Sequence, residues 1–466
     1  MNVNTLEWVF RTLDRSGELL HGDLAGCERR TWFGATIDTR SECQHRLFFA
    51  MKGENTDGHK FAPDALDRGG AAVVVEDEAV TGRIKKAGGV FMRVRSSLRA
   101  LQELSRAYRD SLKIRVVAIT GSSGKTTTKE YVRTILKKKY RVHSNPGNLN
   151  NHIGVPLTLL DTDHDQEYLV SEVGANHEGE IEFLSRLLKP DIGVVANVGD
   201  AHIGLFGSRD RIAEAKAELF TGIDTQGYAV LPQDDDYIDL LRERARCRVV
   251  TFGRGDGSTF RVTAVEEADD EIRFEVNGVP LRITSFATYN VLNACAAFAV
   301  GDICGVESDR VRAGLDESEP MAGRARVHKA RGVTLIDDSY NANPSSMKAA
   351  ISALAARTAT RRLAVLGDMA ELGEFAADAH RELGGFIADA GIDAVFWLGP
   401  QGAHVEEGMK ASRIDFHDFE EVSALTKSVS AALKSGDVIL VKASRAAALD
   451  LVVDELRRTS LKEAGA

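Results

Sequence analysis

Short apolar runs rich in β-branched residues alternate along the chain with longer stretches in which apolar residues recur at helical spacing. Glycine, asparagine, aspartate and proline mark the turns between them. That alternation predicts an α/β protein built on parallel sheets. The clearest unit lies at 114–140. Val116, Val117, Ala118 and Ile119 read as a buried strand that breaks at Gly121-Ser122-Ser123-Gly124. Lys125-Thr126-Thr127 then opens a helix in which Val132, Ile135 and Leu136 share a face, and Lys137, Lys138 and Lys139 sit where a helix C-terminus favours positive charge.

Before this unit the pattern predicts strands at 47–50 and 71–75, and helices at 62–69 and 97–110. After it come strands at 168–172 and 192–198 and a helix at 209–220. A β-rich stretch follows, with a hairpin at 273–283 turning on Asn277-Gly278 and then a helix at 289–300. From Met321 strands are predicted at 333–336, 363–366, 394–398 and 437–441. One helix at 344–356 is capped by Asn343 and begun by Pro344; another starts at Ala446. With 466 residues the chain exceeds one core. The predicted division is a small N-terminal α/β domain (1–96), a central P-loop α/β domain with a parallel sheet and β-rich addition (97–320), and a C-terminal Rossmann-like α/β domain (321–466).

Composition narrows the function without naming it. The chain is 43% apolar and 27% charged, with a formal net charge of −10. That balance argues against a nucleic-acid surface, so an anionic ligand must meet local positive charge. No stretch approaches a membrane span, and the charged N-terminal segment is unlike a signal peptide. Five scattered cysteines without a C-x-x-C pair suggest neither a zinc site nor a disulfide framework, and a cytoplasmic location is expected.

Strand, glycine-rich loop and helix together form a polyphosphate cradle. Gly121, Ser122, Ser123 and Gly124 bring backbone N–H groups to the phosphates, Lys125 adds a point charge, and Thr126 with Thr127 offers a hydroxyl to Mg²⁺. The loop is a shortened variant, because Ile119 stands where the usual pattern has its first glycine. Glu172 ends one predicted strand and His202 follows another, so both are expected at the carboxyl edge of the sheet beside the phosphates. Mg²⁺ keeps few protein ligands, and Glu172 with one more group suffices. Other residues stay open on spacing alone. Arg40 reads as a solvated cation or a phosphate contact. Lys216 lies on an apolar helical face with Ile212, Leu219 and Phe220, which suits a snorkelling lysine. Asn290 and Asn293 share one side of a small-residue helix.

Several segments resemble the Mur ligases of peptidoglycan synthesis: Gly121-Ser122-Ser123-Gly124-Lys125-Thr126-Thr127, Asn150-Asn151-His152-Ile153-Gly154-Val155-Pro156, 172–181 and 197–202. Within that family, 337–344 (DDSYNANP) and 366–373 (LGDMAELG) are similar to the branch that joins D-alanyl-D-alanine to UDP-N-acetylmuramoyl-tripeptide. The resemblance implies an ATP-dependent acid–amino-acid ligase, acting through an acyl phosphate with two Mg²⁺ ions on small-molecule substrates as a cytoplasmic monomer. It puts the UDP-sugar on the N-terminal domain and the incoming dipeptide on the C-terminal one. It implies Glu172, His202 and Thr126 as metal ligands and Lys216 as a carbamylated lysine aiding the second ion. Asn290, Asn293 and Arg324 would meet the nucleotide, and Asp338, at the mouth of a strand, would reach ATP. Asp38-Thr39-Arg40 matches the UDP-sugar loop, with Thr39 where serine is usual; Asn151, Asn341 and Asn343 would contact substrate. Tyr289 stands where many relatives carry histidine. A folylpolyglutamate-synthase-like ligase shares this architecture and is the alternative. A P-loop switch without ligation is a further one, and it leaves the Asp338 loop without a role.

Overall fold

The apolar runs become strands, and the strands gather into three sheets. The computed structural model describes residues 3–459 except 25, 55, 269 and 411; the ends of the outer predicted domains (1, 2 and 460–466) lie outside the described residues. The first sheet holds β1 (Leu19–Asp23), β2 (Ala35–Thr36), β3 (Leu47–Phe49), β4 (Ala72–Val75) and β5 (Phe91–Val94), in the order β1-β5-β4-β3-β2. Only β1 pairs antiparallel.

The central sheet comprises β6 (Arg115–Thr120), β7 (Val142–Ser144), β8 (Tyr168–Glu172), β9 (Ile192–Val195), β10 (Tyr228–Pro232), β11 (Arg248–Gly253), β12 (Phe260–Ala268), β13 (Glu271–Val276) and β14 (Val279–Thr284). Its order is β14-β13-β12-β11-β10-β9-β6-β8-β7. The strands from β6 to β11 run parallel, and β12, β13 and β14 form the antiparallel addition. The expected hairpin turns at Asn277 (φ 50°) and Gly278 (φ 79°), both left-handed, as a two-residue turn matched to strand twist requires. The third sheet holds β15 (Arg326–Ala330), β16 (Val333–Asp337), β17 (Arg361–Gly367), β18 (Ala394–Leu398), β19 (Asp415–Phe419) and β20 (Asp437–Lys442), in the order β15-β16-β20-β17-β18-β19. It is parallel but for β15.

Several boundaries depart from expectation: the strand expected at 192–198 stops at Val195, and the helix expected at 289–300 is Asn290–Ile303. The chain at Ala446 is a single 3₁₀ turn, Arg445–Ala447, broken by Ala448 at φ 52°; the helix itself is Asp450–Thr459. The helix expected at 209–220 is α-helical over Arg209–Ala217 and tightens to 3₁₀ over Glu218–Gly222. Sequence reading also passed over the Leu6–Arg15 helix, whose capping Thr5 and apolar Leu6, Val9 and Leu13 are its visible marks.

The N-terminal and central sheets share one contiguous apolar core, running from Leu6 and Val9 through Leu101 and Leu104 of the Ser97–Ser111 helix to Leu159 and Val195. Trp8, Trp32 and Tyr108 cluster there, and the Tyr108 hydroxyl donates to the Thr162 carbonyl at 3.0 Å. Beside them Arg46 meets the Asp161 carboxylate at 2.5 Å, which also accepts from the Ala35 amide. The C-terminal sheet has a core on each face, one of which also takes in Phe286 and Ala287 from the segment after β14.

Candidate functional site

Parallel strands leave their carboxyl ends and following loops on one edge, and here those loops enclose a cavity of about 600 Å³ between the central and C-terminal sheets. The phosphate loop forms its floor. Gly124 sits at φ 74° as the N-cap of the Lys125–Lys137 helix, and a Cβ there would lie 2.5 Å from the Asn293 side-chain oxygen. Only glycine meets both conditions. The loop is strapped to the segment after β9. Ser122 N donates to the Asn197 carbonyl at 3.1 Å, Ser123 N to Asn197 Oδ1 at 3.0 Å, and Ser122 Oγ to the Gly199 carbonyl at 3.0 Å.

The buried Glu172 carboxylate is the acidic centre. Thr126 Oγ1 donates to one of its oxygens and Asn150 Nδ2 to the other, each at 2.8 Å. Its backbone N–H donates to Asn145 Oδ1 at 2.9 Å, and the fully buried Lys129 donates to the Asn145 carbonyl at 2.7 Å, fixing the loop behind it. Lys125 Nζ donates to the Gly121 carbonyl at 2.8 Å. Burial lowers the Lys125 pKa, with Glu172 opposing that shift and Arg324 adding to it. His202 faces the same cavity and pairs with Glu371 of the C-terminal domain.

From the C-terminal side, Arg324 Nη2 donates to Thr126 Oγ1 at 3.2 Å, and its guanidinium lies 3.9 Å from the Tyr340 ring centroid. Asp338 and Lys442 also line the cavity and pair at 2.7 Å. Asp338 is thus not at an open strand mouth: it is 7% exposed, clamped between Lys442 and the Ala325 amide. Asn290 and Asn293 bond to each other at 2.9 Å behind the phosphate loop. Asn151, Asn341 and Asn343 are at the cavity wall. Two of these have a structural task there, since Asn151 Oδ1 accepts from Ile153 N and Gly154 N at the start of the Gly154–Leu160 helix and Asn343 Oδ1 caps the Pro344–Ala355 helix. Tyr289 lines the cavity as well, its hydroxyl pKa raised well above the ordinary value by burial and by Asp338.

Lys216 lies behind this wall and is 7% exposed. Burial first, and the Lys125 charge second, bring its pKa down to about 7, with Asp235 opposing. The residual exposure of Lys216 is too small to hold the ammonium in bulk water as a snorkelling lysine does. Asp38, Thr39 and Arg40 are not brought to the cavity. Arg40 extends into solvent and folds back on Asp38 at 2.7 Å. Sequence reading missed Asn150, Glu371, Tyr340 and Lys442. Lys442 had a readable mark: a lysine closing the otherwise apolar run of β20 falls at the carboxyl edge where ligands collect.

Oxygen donors at Glu172 and Thr126, backed by an amide and facing a phosphate loop, fit a hard divalent cation that keeps waters and phosphate oxygens as its other ligands. Among the described residues no cluster of three or more acidic, histidine or cysteine side chains forms a closed metal cage.

Comparison with known proteins gives a consistent set of matches. The Mur ligase family catalytic domain matches residues 34–109, the Mur ligase middle domain 119–301, and the Mur ligase glutamate ligase domain 323–445. The UDP-N-acetylmuramoyl-tripeptide–D-alanyl-D-alanine ligase of Bacillus subtilis is 36% identical, over 97% of this chain and 100% of its own. The crystal structure of MurF from Acinetobacter baumannii superposes with a TM-score of 0.83 at 30% identity, over 91% of this chain and 93% of that one. The MurF ligase of Thermotoga maritima in complex with ADP does so with a TM-score of 0.80 at 30% identity, over 94% and 98%.

Proposed function

The chain belongs to the Mur ligase family, and we propose that its cavity joins D-alanyl-D-alanine to UDP-N-acetylmuramoyl-tripeptide at the expense of ATP, in peptidoglycan precursor synthesis in the cytoplasm. The observation that carries this reading is the convergence at Thr126. The phosphate loop, the Glu172 carboxylate and Arg324 from the other domain meet on one hydroxyl. Closing a second domain on the phosphate loop is what a ligase needs, since it must bring nucleotide, acid and amine into line.

Residues 1–96 would hold the UDP-sugar, with Asp38, Thr39 and Arg40 at the uridine phosphates. Residues 97–320 would hold ATP on Gly121 to Thr127, with Asn290 and Asn293 beside the nucleotide. Residues 321–466 would hold the dipeptide, near Asn341 and Asn343. The tripeptide carboxylate attacks the γ-phosphorus, giving ADP and an acyl phosphate. The dipeptide amine then attacks the acyl carbon, and phosphate leaves with the C–O bond electrons from a tetrahedral intermediate. Lys125 and Arg324 neutralise charge on the transferring phosphoryl group, where positioning and electrostatics supply most of the rate. Thr126 and Glu172 would hold one Mg²⁺, and His202 with a carbamylated Lys216 a second. When bound, these ions would add further positive charge at the phosphates.

Lys125→Ala tests the site directly. Phosphoryl transfer is expected to fall to a few per cent or less, while UDP-sugar affinity stays close to that of the parent protein. Retained turnover would remove the phosphate loop from the mechanism.

A further inference from the structure

Arg324 is delivered to the phosphate loop by a backbone in an unfavourable shape. Gly323 has φ 71° and Ala325 has φ 59°, so the arginine is flanked by two left-handed residues, one of them carrying a Cβ. Such a segment persists only if its surroundings over-determine it, and here two consecutive aspartates do so. Asp337 Oδ2 accepts from the Gly323 amide at 2.8 Å, and Asp338 Oδ1 from the Ala325 amide at 3.1 Å. Tyr340 completes the grip: its amide donates to the Gly323 carbonyl at 3.1 Å while its ring supports the guanidinium.

The two carboxylates differ in one respect. Asp338 has a cation partner in Lys442, whereas among the described residues Asp337 forms no ion pair. Asp337 is 6% exposed, and its remaining oxygen accepts from Ser339 N at 3.2 Å and Ser339 Oγ at 2.6 Å. A buried carboxylate without a cation is a costly choice where a neutral side chain could fill the volume. What a carboxylate offers and a neutral carboxamide lacks is acceptors on both sides, one turned to the Ser339 loop and the other to the residue before Arg324.

We propose that Asp337 is a positioning residue for phosphoryl transfer, holding the Gly323–Arg324–Ala325 backbone so that the guanidinium stands at Thr126 beside the phosphates. The inference rests on the role given above to Arg324, and a double-mutant cycle in the full-length enzyme separates the two. Asp337→Asn keeps the volume but turns one acceptor into a donor. It is expected to lower kcat by roughly ten- to a hundredfold, the scale of an ångström-sized misplacement. The KM for UDP-N-acetylmuramoyl-tripeptide should stay unchanged, because that substrate's proposed domain is not touched. Arg324→Ala alone is expected to cost about a thousandfold or more. In the Arg324→Ala background, Asp337→Asn should then cost nothing further in kcat. Asp337→Glu, which retains both oxygens, should restore part of the rate lost in Asp337→Asn. Additive losses would overturn the positioning role while leaving Arg324 in place. Near-normal turnover of Arg324→Ala would overturn both. A loss in Asp337→Asn matched by a large fall in melting temperature and a raised tripeptide KM would mark Asp337 as part of the core alone, and would also overturn it.

Discussion

Burial draws the Lys216 ammonium down to about 7, and that single value has two consequences. A neutral amine is available near neutral pH to react with CO₂, and the resulting carbamate would give Mg²⁺ the oxygen ligand an ammonium cannot. Lys216→Ala should therefore lose ~10-fold or more of its turnover and regain part of it with a small carboxylate such as formate at high concentration. No response to carboxylate or bicarbonate would dismiss the carbamate. The second consequence is for stability. An unfolded lysine keeps its proton up to about 10.5, so between about pH 7 and 10.5 the unfolded chain binds more protons than the folded one. Stability conferred by this site rises with pH over that window and is flat below it. Denaturant unfolding of the carbon-dioxide-free protein at pH 7 and 9.5 should show the gain in wild type and not in Lys216→Met. Asp338 makes a different case. Its alanine variant leaves the buried Lys442 charge unpaired, at a cost of ~3–5 kcal/mol. Melting temperature should fall in Asp338→Ala and recover in part when Lys442→Met is added. Nothing in the residue order announced that pairing, because 104 positions separate the two partners.

At the scale of elements, apolar patterning was informative wherever burial was complete. β8, β9, β18 and β20 are buried along their length and β6 in all but its first residue, and each stood out by an apolar stretch. β1, with the sequence LLHGD, and β19, with DFHDF, are partly exposed edge strands whose pairing is decided by neighbours, so their own residues carried little of it. The loop after β17 shows how an element boundary becomes a device. His380 is fully buried; its Nδ1 lies 2.7 Å from the Ala376 carbonyl and its Nε2 accepts from the Met369 amide at 3.0 Å, which fixes the neutral tautomer. The same loop carries Glu371 to His202 and accepts the Gly204 amide at 3.0 Å. Burial lowers the His380 pKa, with the Ala376 carbonyl and Asp368 opposing and His404 assisting. The unfolded chain takes up this proton first as pH falls below about 6.5, so the contribution of His380 to stability is lost on acidification. Between pH 7 and 5 wild type should lose more unfolding free energy than His380→Gln; equal losses would place the acid sensitivity elsewhere.

For the whole molecule, the phosphate loop, the strand-end Glu172 and the three-sheet plan were legible because each depends on neighbours in sequence. The contacts between domains were not, since Arg46 with Asp161, His202 with Glu371 and Arg324 with Thr126 each join distant segments. Two of these joints differ in extent. The N-terminal sheet is welded to the central one by a shared core, and Arg46→Met should lower stability by about 2 kcal/mol, as expected for a half-buried acceptor left unpaired, without changing the KM for ATP. The C-terminal domain meets the central one around a cavity, through a smaller apolar joint in which Phe286 and Ala287 enter its core, and through a close approach at Gly204, where a Cβ would lie 2.5 Å from the Gly373 amide nitrogen. That arrangement suits a domain that closes on its substrates. The most direct measurement is phosphate release from ATP with UDP-N-acetylmuramoyl-tripeptide, with and without D-alanyl-D-alanine, alongside quantitation of the pentapeptide product. A ligase of this kind gives sustained release only with both acceptor and dipeptide present, with one amide bond formed per phosphate. Release at the same rate without the dipeptide, or with no amide product, would contradict it.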